Sequence, residues 1–150
     1  MWQDTLKMLV SERKVLFVGV GNSMMGDDGV GVFLAKLLSS YVPVCDVGER
    51  PEDVLSWDLG DIDTVIFMDA CAFGGKPGDV ILLKAEDTKE RFLYSHRVPI
   101  SIVASLLEGV EVYVLGVEPQ SISPGEGLSC AVETAAFAVK DLVRDVSCTV

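Results

Sequence analysis

Val15-Leu16-Phe17-Val18-Gly19-Val20-Gly21-Asn22-Ser23-Met24-Met25-Gly26-Asp27-Asp28-Gly29-Val30-Gly31 decides how this chain is organised. Its opening run is apolar and rich in valine, which predicts a buried strand over 14–20. At Gly19 and Gly21 the chain can turn tightly or come close to another group. Two adjacent carboxylates, Asp27 and Asp28, follow, and then Val30, Phe33, Leu34, Leu37 and Leu38 recur at helical spacing, predicting a helix over 29–40. A strand, a glycine-bordered loop and a helix make the repeating unit of an open α/β sheet. Ligands in such sheets bind beyond the carboxyl ends of the strands. An acid pair at that place suits a cation or an electrophile better than a phosphate.

Outward from this unit, strands and helices alternate. An amphipathic helix is expected over 4–12, a second strand over 42–47 at a sheet edge because of Pro43, and a short helix near 51–59. A fully buried strand is predicted over 64–68, and further strands over 79–83 and 110–117. Ser95–Leu107 has helical spacing at Val98, Ile102, Leu106 and Leu107, with Gly109 closing it. Residues 129–146 form a closing helix that packs through Val132, Ala136, Val139 and Val143. The pattern predicts a three-layer α/β sandwich, a mostly parallel twisted sheet of about five strands with helices on both faces. A single domain over 1–150 is expected.

Bulk properties narrow the function. A chain of 150 residues, 49% hydrophobic, is long enough to bury roughly 68–70% of its unfolded surface. Its net charge of −11 opposes nucleic acid and anionic membranes, because phosphate contacts need clustered cations. No apolar run suggests a membrane span and no secretory signal is visible, so the cytoplasm is the expected compartment. The four cysteines, Cys45, Cys71, Cys130 and Cys148, are scattered without a C-x-x-C pair and read mostly as buried, inert thiols.

Three side chains can share a site. Asp69 ends the buried strand over 64–68, Asp28 follows the strand over 14–20, and strand ends of a parallel sheet converge on one edge. The only histidine, His96, begins a predicted helix and can reach the same place. Two carboxylates and an imidazole leave coordination positions open, as a working metal site requires, although these ligands do not name the metal. Each residue also has a structural reading: Asp28 as a helix cap, Asp69 as an Asx-turn, His96 as a solvated side chain. Asp27 reads as the solvated or loop-stabilising companion of Asp28, with an exchange of the two roles left open by the residues alone, and Cys71 as a packed thiol. Gly21 and Asn22 in the first loop, and Gly74 and Gly75 in the loop after Asp69, are candidates for touching a bound ligand. Turn formation explains the glycines almost as well, and Asn22 is better read as holding its loop.

Nucleotide chemistry fits poorly. The position three after Gly21 is Met24, so the dinucleotide fingerprint fails, and two carboxylates stand where a pyrophosphate would sit.

The segment Gly19–Gly31 resembles the signature of the nickel–iron hydrogenase maturation endopeptidases. Asp69–Gly78 is similar to that family's D-A…G…P-G loop, Ser95–Ile100 to its T-H-x-x-P-L segment, and Leu115–Pro119 to L-G-I-x-P. Leu128-Ser129 with Val132 matches the start of the final helix. The matches run in order over roughly residues 14–143, with Ser95 in place of threonine and Ile100 in place of leucine.

The resemblance implies an α/β sandwich and an endopeptidase that removes the C-terminal extension of a nickel-loaded large-subunit precursor. Substrate nickel would be the recognition element, and Asp28, Asp69 and His96 both its ligands and the catalytic residues. It implies no tightly bound cofactor, nickel or another divalent metal arriving with the substrate, and a monomer or weak oligomer. Two chemistries stay open: water activated by the metal, or a carboxylate acting as general base. The alternative function is a non-catalytic metal-sensing assembly factor for the same subunit.

Overall fold

The computed structural model describes residues 1–88 and 99–148. Helix α1 (Trp2–Glu12) leads into β1 (Val15–Val20), a one-turn 3-10 helix (Gly26–Gly29) and α2 (Val30–Leu38). Strand β2 (Val44–Gly48), a 3-10 segment (Pro51–Ser56), β3 (Thr64–Ala70) and β4 (Val80–Lys84) follow. After a short 3-10 turn (Ala85–Asp87) come α3 (Ile100–Leu106), β5 (Glu111–Val117) and α4 (Cys130–Ser147).

The strands form one sheet in the order β2-β1-β3-β5-β4. Its first four members run parallel, and β4 closes the far edge antiparallel to β5. The mostly parallel sheet read from the sequence is the one found. Pro43 sits just before edge strand β2, where its missing N–H falls outside the strand, and its carbonyl accepts the Phe17 amide at 3.0 Å.

Strands β1 and β3 are buried along their whole length, which is why they read as continuous apolar runs. Alternation then divides their side chains. Val15, Phe17, Ile66, Met68, Tyr113 and Leu115 face a core built with α1, α2 and α4. Leu16, Val18, Val20, Val65, Phe67 and Val114 face a second core closed by α3 and Val54 of the 3-10 segment. Val132, Ala136, Val139 and Val143 of α4 are all fully buried, as their spacing predicts.

Two expectations are corrected. Helix α3 buries Ile100 and Val103, whereas Ile102 and Leu106 are 51% and 61% exposed. Pro99 in extended conformation sets the start of this helix, and the face presented to the sheet follows from that start. Gly109 lies beyond the helix end, in the connection to β5. Among the cysteines only Cys71 is buried; Cys45 is half-buried, and Cys130 and Cys148 flank α4 in solvent. Both lie off the helix face that carries Val132 and Val143 into the core.

Candidate active site

Because β1 and β3 are neighbours, the loops leaving their carboxyl ends meet. Two glycines make the first loop possible. Gly21 has φ +141°, and a side chain there would run into the Asp28 carbonyl. A Cβ on Gly31 would strike the carbonyl oxygens of Met68 and Val20, so only glycine lets α2 pack this closely on β1 and β3. This approach carries the Gly26–Gly29 turn over the sheet edge, where Asp28 is 1% exposed. Its Oδ2 accepts the Asn22 amide at 3.0 Å, and the Asn22 side chain accepts the Met24 amide at 2.9 Å. Asp28 does not cap α2: Gly29 precedes that helix and no side-chain cap bond is made.

Asp69, also 1% exposed, is the next-to-last residue of β3, and its Oδ1 accepts the amide of Ala70 at 2.8 Å. Burial pushes its carboxyl well above the ordinary value, the nearby charge of Asp28 adds to the effect, and the Ala70 amide offsets only part. Two carboxylates thus share one buried edge, and one of them resists losing its proton. A positive charge placed between them would relieve both desolvation and repulsion. His96 lies outside the described residues. Among the described residues no three His, Cys, Asp or Glu side chains are placed to hold a metal ion by themselves.

Asp27 has a different surrounding. It is buried and accepts four hydrogen bonds: from the Ser129 amide at 2.7 Å, the Gln120 amide at 2.9 Å, the Ser121 amide at 3.1 Å and the Ser129 hydroxyl at 2.9 Å. Burial alone would raise its carboxyl, but these donors outweigh it and hold the group below its ordinary value. The solvated position is thereby excluded for Asp27; it fastens the loop to residues 120–129.

The loop after Asp69 is fastened by a residue the sequence reading passed over. Glu118, 8% exposed, accepts the amides of Phe73 at 2.9 Å and Gly75 at 2.8 Å on one oxygen. Gly74 and Gly75 are exposed at the mouth of this loop, and the Gly75 amide is already engaged by Glu118. The available signal was the same one that marked Asp69: an acid directly after a buried strand. Cys71 packs against Gly116, where a side chain would meet its Sγ at 2.9 Å.

A family model described as HycI, hydrogenase maturation protease, matches residues 34–145. Hydrogenase 3 maturation protease of Escherichia coli strain K12 is 32% identical over 111 residues, 69% of this chain and 71% of that protein. In three dimensions the chain is similar to the [NiFe] hydrogenase maturation protease HycI of Thermococcus kodakarensis. The TM-score is 0.80 at 26% identity, covering 95% of this chain and 98% of that one. It is also similar to the hydrogenase maturating endopeptidase HybD of E. coli, with TM-score 0.72 at 26% identity over 87% of this chain and 89% of that one.

Proposed function

The chain belongs to the hydrogenase maturation protease family, a family of peptidases, and on that premise we propose that it removes the C-terminal extension of a nickel-loaded hydrogenase large-subunit precursor. The observation that carries the reading is the buried pair Asp28 and Asp69 on the edge shared by β1 and β3. Such a pair is costly to keep in the resting protein. A divalent ion carried in by the substrate offsets that cost, so the pair discriminates a loaded precursor from an empty one.

Two carboxylates and one imidazole suit a first-row divalent metal and leave positions free for the ligands it brings. Asp28, Asp69 and His96 would complete the coordination of substrate nickel and hold the scissile bond against the site, so that recognition and positioning become one event. Gly21 and Asn22 in the loop after β1, and Gly74 and Gly75 in the loop after β3, are the proposed contacts for the substrate chain. Attack on the scissile carbonyl forms the bond to water oxygen and breaks the C–N bond. The water proton passes to a carboxylate and the leaving amine takes up a proton.

The test uses purified protein with nickel-loaded and nickel-free precursor, read by intact mass. Loss of a C-terminal fragment from the loaded precursor alone is expected. Equal cleavage of both forms overturns the role of nickel, and binding without any mass change returns the chain to the assembly-factor reading. His96→Ala is expected to abolish cleavage while leaving the circular dichroism spectrum unchanged.

A further inference from the structure

The segment 118–129, which runs from the end of β5 to the start of α4, touches both carboxylate loops through buried acids. At its beginning, Glu118 accepts the Phe73 and Gly75 amides, while its own backbone exchanges hydrogen bonds with Asp79 and Gly78 at 2.8 and 2.9 Å. At its far side, residues 120, 121 and 129 donate to Asp27. In between, Gly125 pairs with Met24 and Gly26 through two backbone bonds of 2.9 Å. One strap therefore holds the loop following Asp69 and the turn carrying Asp28. Neither acid is adjacent in sequence to the residue that its far end serves.

We propose that Asp27 and Glu118 are positioning residues that act as a pair, setting Asp28 and Asp69 in one geometry through the strap 118–129. Neither touches the reacting atoms. Asp27 controls the strap from the side of Asp28, Glu118 from the side of Asp69, and loosening either end releases both carboxylates. The kinetic part of this inference rests on the precursor-cleaving reading above; the exchange part does not.

Substituting Asp27→Ala and Glu118→Ala, singly and together, tests it on the full chain. Each single variant is expected to lower kcat for the loaded precursor by about tenfold or more, with KM changed by less than about threefold. The double variant should be little worse than the poorer single, because residues acting through one element are not additive. Glu118→Gln keeps an acceptor for both amides and should recover most of the rate; Ser129→Ala removes one bond to Asp27 and serves if Asp27→Ala does not fold. Losses that multiply, or wild-type kcat in variants with lowered melting temperature, overturn the proposal.

Amide hydrogen exchange supplies a readout independent of cleavage. Asp27→Ala should lower protection at Ala70, and Glu118→Ala should lower it at Asn22, each across the strap. Effects confined to each variant's own side overturn the coupling. If wild-type protein leaves the precursor uncut, the functional reading fails, and the exchange data alone decide the strap.

Discussion

Asp27 and Asp28 are consecutive in one 3-10 turn, yet Asp27 accepts four hydrogen bonds from residues 120, 121 and 129 whereas Asp28 accepts the amide of Asn22. A 3-10 turn rotates successive side chains by a third of a circle, so two neighbours cannot face the same wall. One acid is spent on holding the loop, and its neighbour is left to face Asp69. The two therefore differ in what their removal does.

Asp28→Asn keeps an acceptor for the Asn22 amide and removes the charge. Cleavage of the loaded precursor should fall by about a hundredfold or more, while the melting temperature changes little. A time course read by intact mass, beside a thermal melt, checks both. Cleavage at the wild-type rate would remove Asp28 from the chemistry.

Asp69→Asn should trade activity for stability, and the sign follows from its raised proton affinity. An unfolded chain releases this proton near pH ~3.9, the folded chain only at higher pH. Between those points the folded state binds more protons, so wild-type stability falls as pH rises through the folded value. The asparagine variant lacks this loss, and its advantage should widen above about pH 4 by up to about 1.4 kcal/mol per pH unit. Urea unfolding at a series of pH values measures it; parallel curves for the two proteins would contradict it.

Binding of the loaded precursor should strengthen as pH rises. Asp69 must give up its proton before it can ligate a metal, and burial together with Asp28 makes that release late. Affinity should climb by up to about tenfold per pH unit below the folded value of Asp69, with proton release visible in calorimetry across buffers of different ionisation enthalpy. The nickel-free precursor should lack this slope. Equal slopes for both precursors would separate Asp69 from the metal.

Gly31→Ala should destabilise the fold by about 1–3 kcal/mol, because the new Cβ meets backbone carbonyls of Met68 and Val20, which have no rotamer to move to. The denaturant midpoint reports the loss. An unchanged midpoint would mean that α2 can lift off the sheet at no cost.

The chain's strands and its closing helix were legible because their signals are local. Val15–Val20 and the run Val65–Met68 within β3 are apolar and buried, and Val132, Ala136, Val139 and Val143 recur at helical spacing on one face. Helix α3 was less legible: Ile100 and Ile102 are equally apolar, and only the set of the helix against the second core chooses between them. The residues around His96 lie outside those described, so its place rests on the resemblance of Ser95–Ile100.

By itself the sequence determined that acids stand at the carboxyl ends of buried parallel strands, since apolar runs and glycine breaks are written in neighbouring residues. It also determined the family, through motifs whose order and spacing survive in the linear chain. Tertiary structure alone decided which acid does what. Asp27 is a fastener because its donors come from residues 93 to 102 positions away, and Glu118 is one because the loop at 73–75 folds back onto it. Asp69 resists ionisation first because the fold buries it, and further because the strand order places β1, and with it Asp28, beside β3. Carboxylates are chemically alike in sequence; the donors, charges and burial that distinguish them are supplied across the fold.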